Sequence, residues 1–83
     1  MAEHWRDFDG MTELALRIGR MVEATKHSRA HHGVLSTAEK LAVALVLNDF
    51  EMLGDYTMLQ AMERVGEDWL VASMLVQKAM DEE

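Results

Sequence analysis

Residues 36–47 read STAEKLAVALVL, and this stretch decides the fold of the chain. It opens with a capping box, because the Ser36 hydroxyl and the Glu39 carboxylate can each accept a backbone N–H at the start of a helix. Seven apolar residues then follow without a polar interruption, at positions 41–47. A helix that is apolar on every side must be enclosed by its neighbours. We therefore predict an α-helix here, at the centre of the core.

The sequence before this stretch predicts a long first helix. Apolar residues recur at spacings of three and four between Trp5 and Val22, which is the period of one helical face. Gly10 is unfavourable inside a helix and Thr12 is a good N-cap, so we expect the helix to run from about Thr12 to about Ala30. Residues 1–11 then form an N-terminal arm. A turn at Gly33 separates this helix from the next.

The sequence after residue 47 predicts two further helices. Thr57 and Gln60 repeat the capping-box pattern and open a short third helix that ends at Gly66. Glu67 and Asp68 supply negative charge and a cap for a last, amphipathic helix, followed by a frayed acidic tail at residues 81–83. We thus predict one all-α domain over residues 1–83, a bundle of about four helices. Its last helix has an apolar face that consists of Trp69, Ala72, Ser73, Val76, Ala79 and Met80, and we expect Leu70, Met74 and Leu75 to widen this face.

Length and composition restrict the possible functions. A chain of 83 residues has a thin core, burying roughly 60 to 65% of its unfolded surface, so we expect a dimer. The chain has no cysteine, which excludes disulfides, thiolate zinc sites and cysteine nucleophiles. Neither a signal peptide nor an apolar run long enough to cross a membrane is recognisable, so we expect a cytoplasmic protein that does not bind membranes.

The net charge of −7 comes from the C-terminal part of the chain. Residues 1–35 hold five acidic and five basic side chains, whereas residues 36–83 hold ten acidic and three basic ones. Either both parts are simply solvated, or charge guides pairing with a second copy or with a basic surface on another protein. The cations predicted to form a basic face on the first helix are Arg17, Arg20, Lys26 and Arg29.

No constellation of residues predicts catalysis. A nucleophile with a base, a paired acid and base and a phosphate-binding glycine loop are all missing from the sequence, so we expect neither an enzyme nor a cofactor. His27 and His31 stand four residues apart, the spacing at which two imidazoles on one helix share a metal ion. No third ligand lies close to them in sequence. We therefore treat them as weak metal candidates and expect solvated histidines at a helix end.

The apolar and acidic residues together predict a protein-binding function. Eight methionines are far more than a chain of this length usually has, and methionine serves both as core filler and as an adaptable interface residue. We predict that apolar anchors supply affinity and that acidic side chains select a basic partner surface. The predicted anchors are Trp5, Phe8, Met11 and Trp69. The predicted acidic residues are Asp49, Glu51, Asp55, Glu63, Glu67 and Asp68.

This pattern favours a non-catalytic inhibitor or adaptor that covers a surface of another protein. One alternative is a structural subunit that assembles with itself. Another is a regulator that contacts nucleic acid through the basic first helix; the C-terminal helices do not favour nucleic acid, since Arg64 and Lys78 are their only cations against six acids from residue 57 onward. In size and acidity the chain is similar to small inhibitors encoded by phages and mobile elements, a similarity of composition that covers no motif.

Overall fold

The structure is a computed structural model that describes residues 4–7 and 10–81; at positions 4, 5, 29, 31 and 32 it describes the backbone alone. Within these residues the chain forms four α-helices and no strand, which confirms the all-α prediction. The helices are α1 (Glu13–His27), α2 (Thr37–Leu47), α3 (Met58–Val65) and α4 (Glu67–Asp81). Two 3₁₀ helices, His4–Asp7 and Arg29–Val34, lie on either side of α1 in the sequence.

Helix α1 begins where the sequence predicts and ends earlier. Thr12 is the N-cap, and the backbone N–H of Ala15 donates to its Oγ1 atom over 3.1 Å. Gly10, with φ +84°, forms the turn before it. At the other end the backbone becomes extended at Ser28, so the predicted end near Ala30 is wrong by three residues. The helix stops because the chain tightens into the 3₁₀ helix that follows.

Helix α2 lies at the centre of the bundle, as predicted. The capping box is present: Ser36 N–H donates to Glu39 Oε1 over 2.8 Å, and Glu39 N–H donates to Ser36 Oγ over 3.3 Å. The helix ends at Leu47, since the C-cap Asn48 takes the left-handed conformation with φ +54°. Helices α1, α3 and α4 all pack against α2. Its buried residues are Leu41, Ala42, Val43, Ala44 and Val46.

Two core clusters meet at α2, and this explains why the helix is apolar all round. Val43 and Val46 pack with α1 and α4, around Ile18 of α1. Leu41, Ala42 and Ala44 pack with Leu53 and with the buried side of α3. Each cluster removes apolar surface from water, which is the main force that holds the bundle together.

Helices α3 and α4 are joined by a single residue. Thr57 and Gln60 form the predicted capping box at the start of α3, with hydrogen bonds of 2.9 and 3.1 Å. Gly66 follows α3 with φ +88°, a conformation that suits glycine, and α4 begins at the next residue. Helix α4 packs against α1, α2 and α3. None of the helices in the described part of the chain is both long and apolar enough to cross a membrane.

Candidate protein interface

A groove opens between the C-terminal end of α2, helix α3 and helix α4. Its volume is about 200 Å³, which exceeds the roughly 150 Å³ of an apolar cavity that can hold benzene. We call it the methionine groove, because three of its lining residues are methionines. The residues that line it are Leu45, Val46, Asn48, Met58, Met62, Leu70, Ser73, Met74 and Gln77.

The three methionines reach the groove from two helices. Met58 and Met62 lie one turn apart on α3, both half-buried, on the side of α3 that turns toward α4. Met74 comes from α4 and is 62% exposed. A methionine side chain is unbranched and polarisable, so it adapts its shape to whatever packs against it. The groove therefore offers an adjustable apolar surface rather than a rigid one.

Gln77 fixes the position of α4 relative to the end of α2. Its Nε2 atom donates to the carbonyl oxygens of Leu45 and Val46, over 3.3 and 3.1 Å. Both carbonyls belong to the last turn of α2. The Leu45 oxygen also accepts the Asn48 backbone N–H over 3.2 Å, and the Gln77 amide is a second donor to it. The amide thus satisfies these oxygens and holds the two walls of the groove together.

Ser73 brings an unused hydrogen-bonding group to the groove. Its side chain is 2% exposed, and its Oγ atom has no hydrogen-bond partner among the described residues. Leaving a buried hydroxyl without a partner costs about 1–3 kcal/mol. Asn48 and Gln77, the other polar residues of the lining, do not bond to this hydroxyl, so a ligand in the groove that carries a polar group would recover part of this energy.

The side of α4 that faces away from the bundle carries exposed apolar residues. Val71 is 59% exposed and Met74 is 62% exposed, although both lie in the middle of the helix. Charged residues lie toward the two ends of the same side. We call this side the outer face of α4; it consists of Glu67, Val71, Met74, Lys78 and Asp81, all exposed.

The outer face is continuous with the methionine groove and with α1. Met74 and Gln77 line both the groove and a shallow depression that extends to Lys78. Beyond Val71, a second depression reaches Leu14 of α1 and also includes Glu67 and Asp68. One apolar surface with acidic residues at its edge therefore crosses α4.

Two of the predicted apolar anchors, Met11 and Trp69, have described side chains, and both are partly used inside the fold. Met11 is half-buried against the core cluster that contains Ile18. Trp69 is also half-buried, packs against both core clusters, and has the Arg17 guanidinium carbon 5.5 Å from its ring centroid. The side chain of Trp5 and the whole of Phe8 lie outside the described residues. Neither Met11 nor Trp69 lines the methionine groove.

The six predicted acidic residues divide into four groups. Asp49 has a local role, because its carboxylate accepts the backbone N–H groups of the next turn, over 3.0 Å and 3.3 Å. Asp55 and Glu63 are exposed and line one depression beside α3. Glu67 and Asp68 are exposed beside Val71, at the edge of the apolar surface described above. The sixth predicted residue, Glu51, is exposed in the α2–α3 connection.

The cations of α1 differ in how far they are used within the fold. Arg17 Nη2 lies 2.9 Å from Glu39 Oε2, so this cation ties α1 to the start of α2. The pKa of Glu39 lies below its ordinary value, chiefly because the Ser36 backbone N–H donates to the carboxylate; desolvation opposes this shift and Arg17 adds to it. Arg20 and Lys26 are exposed, and the side chain of Arg29 lies outside the described residues.

The histidine pair predicted as a weak metal candidate does not share an α-helix. His27 is the last residue of α1 and is exposed, whereas His31 lies in the 3₁₀ helix that follows. The expectation that both histidines lie on one α-helix is therefore wrong, because α1 ends between them. In the described part of the chain, no three histidine or acidic side chains come close enough together to hold a metal ion.

Sequence reasoning missed the groove because it assigned the apolar residues of α4 to a single face. Leu70 and Met74 were expected to widen the buried face, yet Met74 is exposed and both line the groove. The width of the apolar arc was the available signal, since one neighbouring helix cannot cover it all.

No protein-family model, curated protein or solved structure matches the chain at a significant level.

Proposed function

We propose that this protein is a non-catalytic interaction module whose methionine groove binds an apolar side chain of a partner protein. The observation that carries the proposal is the groove itself: Met58, Met62 and Met74 line an open apolar space of about 200 Å³ between three helices. Exposed methionines and apolar grooves are typical of surfaces that bind helices or extended segments of other proteins. By covering such a segment, the protein would act as an inhibitor or an adaptor.

The size and chemistry of the groove indicate which anchor it accepts. Its volume accommodates one aromatic ring or one branched aliphatic side chain. The Ser73 hydroxyl favours an anchor that also carries a hydrogen-bonding group, as the indole N–H of tryptophan or the hydroxyl of tyrosine does. Tryptophan and tyrosine are also the residues that most often dominate binding energy at interfaces.

The surrounding charge favours a partner segment with basic residues beside the anchor. Glu67 and Asp68 lie at the edge of the apolar surface that continues from the groove across α4. Complementary charge at the rim of an interface accelerates association and suppresses wrong partners more than it adds affinity. Charge reversal at Asp68 should therefore slow association with the partner.

Affinity capture from a nuclease-treated lysate of the source cells tests the proposal, with matched variants as bait. Met62→Glu places a charge in the groove. Leu59→Glu is the control, because Leu59 belongs to the same helix, is 77% exposed and does not line the groove. We expect one stoichiometric partner to bind wild type and Leu59→Glu, and the Met62→Glu bait to lose at least about 90% of it.

Met58→Glu serves as a second groove variant. Circular dichroism must show that every bait keeps its helical fold, so that a loss of capture reports on binding. Equal capture by all four baits would place the partner elsewhere. Capture of no foreign protein by folded wild-type bait would contradict the proposal as a whole.

Self-association is a second candidate function, and the outer face of α4 supports it. Val71 and Met74 expose apolar surface in the middle of a helix whose ends are charged. A small chain gains stability when a second copy covers such a surface. Light scattering over a range of protein concentrations tests this candidate separately from the capture experiment.

A further inference from the structure

We infer that the outer face of α4 pairs with the same face of a second copy, with the two α4 helices antiparallel across a two-fold axis. The inference rests on the self-association proposed above and names its surface, orientation and residue pairs. The axis passes midway between Val71 and Met74. It does not depend on the partner proposed for the methionine groove.

The apolar centre of the face supplies the attraction. Val71 and Met74 are three residues apart, so they lie on one side of the helix, and they are 59% and 62% exposed. Two-fold pairing places Val71 of each copy opposite Met74 of the other, which buries all four side chains. Half-buried Leu70 and Leu75 flank this centre on its two sides and widen the apolar contact.

The order of charges along the face sets the orientation. Glu67 and Lys78 are equally distant from the midpoint between Val71 and Met74. An antiparallel pair with this axis therefore brings Glu67 of each copy opposite Lys78 of the other, giving two ion pairs. A parallel pair would instead place Glu67 opposite Glu67 and Lys78 opposite Lys78. Antiparallel helix dipoles favour the same arrangement.

This charge order is what identifies a second copy as the occupant. A two-fold interface uses one patch on both subunits, so the patch must be complementary to itself after a half-turn. The sequence from Glu67 through Val71 and Met74 to Lys78 meets that condition with both its charged and its apolar positions. A foreign partner would place no such requirement on the spacing of these residues.

Charge exchange between the two ends of the face tests the pairing. Glu67→Lys and Lys78→Glu each create like-charge contacts, so each should weaken dimerisation by roughly tenfold or more. The double variant restores opposite charges and should bring the dissociation constant back to within about threefold of wild type. Sedimentation equilibrium of the full chain at about 0.15 M salt measures all four proteins under ordinary charge screening.

Matched variants separate this effect from net charge and from helix stability. Glu63→Lys changes the charge of the chain by the same amount as Glu67→Lys, but it lies on α3 outside the face, so dimerisation should stay within about threefold of wild type. Both single exchanges oppose the α4 dipole, and the double variant carries both penalties, so restored pairing cannot come from a more stable helix. Val71→Glu should weaken dimerisation by about a hundredfold or more.

Three results would overturn the inference. A wild-type chain that stays monomeric up to about 1 mM protein would contradict the self-association proposal as well, because a stable interface has a dissociation constant below that concentration. A dimer that is indifferent to Val71→Glu, or one that the double exchange fails to restore, would leave self-association in place but move it to another surface. A monomer whose Val71→Glu variant loses a captured foreign protein would assign the face to that partner.

Discussion

Helices α2 and α4 contain similar apolar runs and use them in different ways. Residues 41–47 of α2 read LAVALVL, and five of these seven residues are buried. Residues 70–76 of α4 read LVASMLV, and only three of these seven are buried, while Val71 and Met74 are exposed. Helix α2 has helices on three sides, whereas α4 packs against the other helices and the first 3₁₀ helix and still leaves Val71 and Met74 exposed. Position in the bundle decides whether an apolar run becomes core or stays partly exposed.

The polar residues in and beside the two runs differ in the same way. The α2 run contains no polar side chain at all, so none of its side chains needs a hydrogen-bond partner. The α4 run contains Ser73, whose hydroxyl has no hydrogen-bond partner among the described residues. Gln77 follows the run, and its side-chain amide donates to the last turn of α2. A buried polar group inside an apolar surface is a mark of specificity rather than of stability.

The largest expected effect comes from truncating a matched pair of valines. Val43→Ala in α2 removes a side chain that is 0% exposed and should lower the free energy of unfolding by about 2 kcal/mol or more. Val71→Ala in α4 should change the free energy of unfolding by less than about 0.5 kcal/mol. Urea unfolding at low protein concentration, where the chain is monomeric, measures both. Equal losses would mean that Val71 is covered within the monomer.

Removing the Gln77 hydrogen bonds that link α4 to α2 should have the next largest effect on the free energy of unfolding. Gln77→Met keeps the size of the side chain but removes the side-chain donor from the Leu45 and Val46 carbonyl oxygens. Because Leu45 keeps the Asn48 N–H, the free energy of unfolding should fall by about 1 kcal/mol. Gln77→Glu should cost more at pH 7 than at pH 4, because only the protonated carboxyl can donate to these oxygens. If both variants match the stability of wild type, the amide does not hold α4 to α2.

Removing the unpartnered hydroxyl should act in the opposite direction. Ser73→Ala should raise the free energy of unfolding by about 1 kcal/mol, since a buried group without a partner is lost and alanine favours helix. It should also reduce capture of the groove partner. Thr25→Val is the control: Thr25 Oγ1 also lacks a partner among the described residues, but Thr25 does not line the groove.

Thr25→Val should therefore raise stability and leave capture unchanged. A loss of stability in Ser73→Ala would show that the hydroxyl has a partner within the fold. Raised stability with undiminished capture would remove Ser73 from the binding site while leaving the apolar part of the groove intact.

The smallest expected effect concerns the capping box of α2. Because the folded pKa of Glu39 is lowered, its ionised form stabilises the fold above the ordinary carboxyl pKa of about 4.3, and this contribution is lost as the pH falls through the lower folded value. Glu39→Gln should cost less than about 1 kcal/mol at pH 7 and nothing at pH 2. Thermal unfolding of both proteins across this pH range measures the difference, and a constant difference at every pH would contradict the assignment.

Local sequence signals predicted most of the fold. The capping boxes at Ser36 and Thr57, and the caps at Thr12 and Gly66, all lie where the sequence places them, because capping depends on residues a few positions apart. The end of α1 was less predictable. Lys26 and the histidines are favourable near a helix C-terminus at any of several positions. Their presence therefore does not indicate that the helix ends at Ser28 rather than a few residues later.

The candidate site was harder to predict, since it depends on which faces the bundle leaves open. Trp69 has the composition of an interface anchor, but it packs against both core clusters. Met74 has the composition of core filler, but it is exposed because α4 turns only one side to the bundle. Spacing identifies which residues share a face; it does not say which face meets a neighbour.

The most direct test of the methionine groove uses its own methyl groups as reporters. In a protein labelled with ¹³C-methyl methionine, binding of the captured partner should shift the signals of Met58 and Met62, which line the groove and lie off the outer face of α4. The signals of Met21, 8% exposed in the core, and of Met11 should stay in place. A shift at Met11 with no change at Met58 and Met62 would contradict the groove and favour the N-terminal anchors that the sequence predicts.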